Sequence, residues 1–254
     1  MKKHLPTVTL LGIDCVDIDR LIQAAEICMK DFNFAEVKLL TSLPTEGIEN
    51  IVPIKPIKTI EEYSEFAISE LNKYVDTTHV LIIQYDGFIL NPSAWSDEYL
   101  DYDYIGAPLK ILDWSIKAFN LNPNTNGDLV VGNGGFCLRS KKLLHLLSEM
   151  STQEKIPEYH PEDVVICIKI KQKLEAQGIK FAPVELAEQF SFEHSTKKSG
   201  EWTSKWTDEF GFHGLKWSDI SDWINKHPEY NIDNSLNRDR YTKKPPEDLT
   251  KSNK

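Results

Sequence analysis

Apolar positions in the first half of the chain switch between two periods. Residues 8–13 form a strand-like apolar run closed by Asp14. Residues 18–32 then place Ile18, Leu21, Ile22, Ala25 and Met29 on one side of a 3.6-residue repeat, which predicts a helix. A second strand is expected over 37–40, and a short third over 51–54, cut off by Pro56. Thr59-x-x-Glu62 is a capping box that opens a helix to about Val75. Val80-Leu81-Ile82-Ile83 is apolar at every position, as in a strand covered on both faces. This alternation predicts an α/β sheet with right-handed crossovers.

The second half is less periodic. A short strand is expected over 104–108, an Asn-, Pro- and Gly-rich loop over 120–128, and a strand over 134–138. Ser140 caps a helix reaching about Met150, and another helix runs from Pro161 to Gly178, a suitable terminating residue. Residues 181–192 read as extended, and 218–226 as a last short helix stopped before Pro228. From 231 to 254 the chain is polar and carries paired prolines, so a loosely held tail is expected. One domain over 1–230 follows, with no internal repeat.

Composition narrows the function. At 254 residues and 41% hydrophobic content, one sizeable core suffices. The net charge of −10 argues against non-specific nucleic-acid binding, which needs clustered Lys and Arg, but leaves room for a local basic pocket. No apolar run approaches the length of a membrane span, and the first residues lead into a strand rather than a signal segment. Cys15, Cys28, Cys137 and Cys167 show neither paired nor zinc-type spacing, so free thiols in a reducing cytoplasm are expected.

Ligands of open α/β sheets sit outside the carboxyl ends of the strands. Asp86, following the strand 80–83 and Gln84-Tyr85, is placed there to hold Mg²⁺ or Mn²⁺ against a diphosphate, or else belongs to a turn with Gly87. Asp101-x-Asp103 is a weaker acidic pair, read as a solvated turn. Gly132-Asn133-Gly134-Gly135-Phe136 allows close backbone approach to a ligand, or makes a bulge or sharp hairpin. Glu162-Asp163 either complements a helix dipole or supplies a fixed general base. His213, between Phe212 and Gly214, and His194 read as loop histidines or as ligands. Trp114, Trp202, Trp206 and Trp217 are core residues or stacking surfaces for sugar or base.

Taken in order, the strand with Gln84-x-Asp86, then Asp103 to Pro108, Gly132 to Arg139, Glu162-Asp163, Phe190-Ser191-x-Glu193 and Phe210-Gly211-x-His213 resemble a family of bacterial and eukaryotic glycosyltransferase-like proteins. More distantly they resemble the GT-A glycosyltransferases, which use nucleotide-sugar donors. The resemblance runs over about 6–225, and its most specific part is the pair of segments 102–108 and 132–139. It implies a GT-A-like mixed sheet flanked by helices, with a nucleotide-binding half over about 1–110 and an acceptor-binding half over 111–230. It implies that Asp86 ligates Mn²⁺ or Mg²⁺ on the donor diphosphate, with Gln84 standing where the first Asp of a D-x-D motif is usual. Asn133, Gly134, Gly135 and Phe136 correspond to the loop lining the donor-sugar and acceptor pocket. Asp163 corresponds to the base of inverting members, with Glu162 beside it on the acceptor. His213 corresponds to a C-terminal histidine that completes the metal or diphosphate site in the family, and Asp14, at the end of the first strand, is a candidate for the nucleoside side. The implied partners are a nucleotide-sugar donor and a glycan, lipid-linked or small-molecule acceptor. The implied setting is surface polysaccharide or glycoconjugate synthesis, cytoplasmic or peripheral to the inner membrane.

Two rivals stand beside this reading. A haloacid-dehalogenase-like phosphatase shares the strand-x-x-Asp-Gly-apolar pattern but needs a nucleophilic Asp where Gln84 stands. A non-catalytic nucleotide-sugar-binding protein of the same fold draws its support from that same Gln.

Overall fold

Four parallel strands build one side of a six-stranded mixed sheet ordered β3-β2-β1-β4-β8-β5. A computed structural model describes residues 2–193, 195–196 and 202–232. His194 and, from 233 onward, the tail expected over 231–254 lie outside the described residues.

Strand β1 (Lys3–Ile13) is longer than its apolar run, and its pairing register with β2 shifts between Leu5 and Thr9, around Pro6. Helix α1 (Ile18–Asp31) buries Ile18, Leu21 and Ala25 as its periodicity predicts. It leads directly into β2 (Phe32–Thr41), with β3 (Ile51–Pro53) at the sheet edge. Thr59 caps α2 (Ile60–Ser69) by accepting from the Glu62 N–H at 3.2 Å, while the Glu62 carboxylate accepts from the Lys58 N–H at 2.6 Å. A 3₁₀ turn over Leu71–Tyr74 carries the chain to β4 (His79–Ile83), buried at all five positions.

The next strands are short: β5 (Tyr104–Gly106) joins the main sheet, while β6 (Pro108–Lys110) and β7 (Leu129–Val131) pair with each other around α3 (Asp113–Phe119). Strand β8 (Cys137–Ser140) lies between β4 and β5, antiparallel to both. A strand from the second half of the chain thus completes the sheet begun by the first. Gly134 to Phe136, expected within this strand, form its entry loop instead. Ser140 accepts from the Leu143 N–H at 3.0 Å and so starts α4 (Lys141–Thr152).

The helix expected from Pro161 to Gly178 is broken into α5 (Glu162–Val164), a π turn over Val165–Lys169, and α6 (Lys171–Ala176). Gly178 ends it with a φ of +80°. The extended stretch expected over 181–192 is instead mostly helix α7 (Val184–Phe190), which turns Leu186, Ala187 and Phe190 inward. Glu, Leu, Ala and Gln after Pro183 outweigh the apolar ends of that segment. The chain finishes with β9 (Ser191–Phe192), β10 (Ser195–Thr196), β11 (Trp202–Thr203), β12 (Gly211–Phe212) and α8 (Ser221–Lys226), which starts three residues later than expected. Among the described residues, no helix is long and apolar enough to cross a membrane.

Asp103 corrects a second expectation. Its carboxylate is buried, accepting from the Ser140 hydroxyl and from the Lys180 N–H at 2.8 Å, so it ties β5 to β8 rather than lying in a solvated turn. The four cysteines are free, and Cys28, Cys137 and Cys167 are buried. Trp114 and Trp217 are 45% and 41% exposed, whereas Trp206 is partly buried. Among the described side chains, which do not include that of Trp202, the tryptophans buried in the core are Trp95 and Trp223.

Candidate functional site

Strand direction assembles the site. Strands β1 and β4 end, and the antiparallel β8 begins, at the same edge of the sheet. The exit of β4 therefore meets the glycine loop that enters β8. A tight turn follows β4, with Gln84 and Gly87 exchanging backbone hydrogen bonds of 3.1 and 3.0 Å. Asp86 is at once a turn residue and a carboxylate at the exit of β4.

The Gly214 N–H donates to the Asp86 carbonyl at 2.7 Å, which brings His213 beside the turn. His213 Nε2 lies 3.2 Å from Gln84 Oε1 and 3.7 Å from Asp86 Oδ1, and His213 Nδ1 lies 3.4 Å from Glu193 Oε1. Burial works against a charge on this ring, but Glu193, Asp86 and Asp163 outweigh it and raise its pKa to about 9. The imidazolium is the ring form in the free protein at neutral pH. Gln84 is held at its other end, its Nε2 donating to the Tyr63 hydroxyl at 3.1 Å. An amide bridged in this way is no phosphatase nucleophile.

The glycines are explained by what they touch. A Cβ on Gly135 would lie 2.1 Å from His213 Nε2, and one on Gly134 would lie 1.9 Å from Glu162 Oε1. Between the two walls runs bare backbone, fixed by Asn133. That residue has a φ of +65°, accepts from the Gly135 N–H at 2.9 Å and donates from Nδ2 to Glu193.

Glu162 and Asp163 begin α5 on the far side of this loop. Glu162 is buried and pairs with Arg139 Nη2 at 3.3 Å, while Asp163 Oδ1 accepts from the Val164 N–H at 2.8 Å. Burial of its carboxyl, reinforced by the neighbouring Glu162 charge, raises the Asp163 pKa to about 7. That value suits a group that takes up a proton near neutrality.

Two expected site residues serve other ends. The Phe136 ring is fully buried and packs against Phe190 and Phe210, so it belongs to the core. Asp14 accepts from the Val16 and Asp17 N–H groups at 2.8 and 3.0 Å and from Arg20 Nε at 2.8 Å. Its carboxylate is engaged in starting α1, although the Arg20 guanidinium it holds stacks 3.7 Å from the centre of the Tyr85 ring, next to Asp86. Conversely, Tyr63 and Arg139 were not anticipated here. Tyr63 reads as an ordinary position in an amphipathic helix, and an Arg closing a strand reads as solvated.

Among the described residues, no group of three or more His, Cys, Asp or Glu side chains is arranged to hold a metal ion. The residues instead fit a cation held by one or two side chains and completed by ligand oxygens. Asp86 Oδ1 is buried with no hydrogen-bond partner, and His213 stands next to it.

Residues 48–213 match the profile of a family described as protein of unknown function, DUF5672. The galactosyltransferase LgtC, solved in complex with donor and acceptor sugar analogs, is 13% identical with a TM-score of 0.44. The match covers 95% of this chain and 99% of that chain. An active-site mutant of LgtC gives 15% identity and a TM-score of 0.47 over the same shares. The apo form of the glycosyltransferase GlyE from Streptococcus pneumoniae TIGR4 gives 11% identity and a TM-score of 0.44, covering 93% of this chain and 62% of GlyE. No curated protein sequence matches the chain. The profile match takes in more than half of the chain, which therefore belongs to the DUF5672 family of proteins of unknown function.

Proposed function

We propose that this crevice transfers a sugar from a nucleotide-sugar donor to an acceptor hydroxyl, with inversion at the anomeric carbon. One observation carries the reading. A single glycine loop separates a carboxylate that resists ionisation, Asp163, from a cation–carboxylate pair, His213 and Asp86. A transfer of this kind needs a proton acceptor on one side of the reacting carbon and positive charge on the other.

In this reading Asp163 accepts the proton of the acceptor hydroxyl. The hydroxyl oxygen forms its bond to the anomeric carbon as the bond from that carbon to the diphosphate oxygen breaks. The electron pair leaves with the nucleoside diphosphate, on the side faced by His213. Gly134 and Gly135 let the donor approach the backbone, and Asn133 keeps that backbone in place. Asp86 would hold a divalent cation, Mn²⁺ or Mg²⁺, and His213 would join it only on giving up its ring proton. Such a cation, when bound, adds positive charge against the donor diphosphate. The acceptor is a hydroxyl on a glycan, a lipid-linked precursor or a small molecule.

The test is release of nucleoside diphosphate from a panel of uridine and guanosine diphosphate sugars, with and without Mn²⁺. Asp163→Asn should abolish transfer while donor binding persists. Equal turnover by variant and wild type would remove Asp163 as the base.

A further inference from the structure

We propose that Arg139 is a positioning residue, whose buried guanidinium holds the Glu162 carboxylate against the Gly134 backbone and thereby fixes the direction of the Asp163 carboxylate one residue on. The inference rests on the transferase reading for its chemistry, but its geometry stands independently.

Arg139 is 0% exposed and is the largest fully buried side chain among the described residues. An Arg one residue from the end of a four-residue strand would ordinarily reach solvent with its head and bury only its stem. Here the head is turned inward. Its Nη2 meets Glu162 Oε1 at 3.3 Å, its Nε points at the Cys137 sulfur at 3.3 Å, and its plane stands 5.4 Å from the Tyr104 ring centre. Its Nη1 is buried with no hydrogen-bond partner. Such an arrangement is a poor stabilising device. Taking both charges out of water is expensive, the one direct contact is long, and an apolar pair of similar volume would serve the core as well or better.

What the pair does achieve is placement. Glu162 Oε1 occupies the space that any side chain at position 134 would need. The glycine loop therefore rests on a carboxylate that Arg139 keeps in place. Tyr104, beneath the guanidinium, donates its hydroxyl to the Asn133 carbonyl at 2.9 Å, tying the same support to the other end of the loop. Asp163 follows Glu162 at the first turn of α5, where its own anchor is the adjacent Val164 N–H. With Glu162 fixed, that first turn has one orientation, and the Asp163 carboxylate has one direction. A general base works only within hydrogen-bond reach of the proton it takes, so this direction matters for rate.

The experiment compares Glu162→Gln with the double variant Arg139→Met/Glu162→Gln. The Gln keeps an oxygen for Arg139, and the Met keeps the stem volume while leaving no unpaired buried charge. Glu162→Gln leaves the buried Arg139 charge unpaired and the double variant relieves it, so the double variant should melt no lower than the single one, which separates positioning from folding. In turnover of the nucleotide-sugar panel, the double variant should show a kcat about 100-fold below that of Glu162→Gln, the scale of a displaced catalytic group, with donor KM changed less than threefold. Equal kcat in the two variants would overturn the proposal. A second readout needs no substrate: the ¹³Cγ signal of Asp163 in the ligand-free protein should shift or broaden in the double variant relative to Glu162→Gln. An unchanged, single signal would overturn the positioning role whether or not a donor is found. A wild type that turns over no donor, together with a shifted Asp163 signal, would instead remove the transferase reading and leave the positioning role standing.

Discussion

The Gly135 backbone lies against the His213 ring so closely that a Cβ there would meet Nε2 at 2.1 Å. This contact joins a residue entering β8 to one 78 positions later in the chain. It defines one wall of the crevice, and it makes Gly135 a sensitive probe.

Gly135→Ala should push His213 away from Gln84 and Asp86. We expect at least a tenfold loss in donor affinity, roughly 1.4 kcal/mol, with only a small change in melting temperature. Calorimetric titration of the variant with the donor that binds wild type checks this. Undiminished affinity would mean that His213 takes no part in donor binding.

Asp163 predicts a pH signature in stability. Its pKa is near 7 in the folded protein and 3.8 without the fold's influence, so between those values the folded chain holds more of this proton than the unfolded one. Stability contributed by this group is therefore present at low pH and is lost as pH rises through about 7. Asp163→Asn removes the loss. The variant should gain stability relative to wild type between pH 4 and pH 7 and hold that gain above, up to about 4 kcal/mol. Denaturant unfolding across pH measures it, and a difference that shrinks with rising pH would contradict the burial argument.

Phe136 and Asp14 should affect folding more than chemistry. Phe136→Ala should cost about 3–5 kcal/mol of stability, as for other buried aromatics. Asp14→Ala should cost about 1–2 kcal/mol through lost hydrogen bonds to the turn that precedes α1. Chemical denaturation provides both values. A Phe136→Ala protein of normal stability with lost donor binding would place that ring in the site after all.

How much of this was legible beforehand depends on whether the signal was local. Helix α1, strand β4 and the cap at Thr59 are written in neighbouring residues and appear where periodicity and capping put them. Helix α7 is hidden in the sequence because its apolar ends suggest a strand, while its short helical face, Leu186, Ala187 and Phe190, is evident only against the core. The break after Val164 was hidden for a related reason, since a run of β-branched residues can continue a helix or loosen it into a π turn. Site residues divide the same way. Asp86 could be flagged from its place after a dry strand. The approach of His213, Gly135 and Glu162 depends on β8 running antiparallel, which no local pattern encodes. The burial of Arg139 is not legible locally, because it follows from a partner 23 residues away.

The central claim is that the crevice around Asp86 and His213 binds a nucleotide sugar. It is tested most directly by thermal unfolding of wild type and Asp86→Asn against nucleotide sugars and nucleoside diphosphates, with and without Mn²⁺. A donor at about 100 times its dissociation constant should stabilise wild type by roughly 2.7 kcal/mol, and that gain should be largely lost in Asp86→Asn. No stabilisation by any donor, or an equal gain in the variant, would contradict the claim.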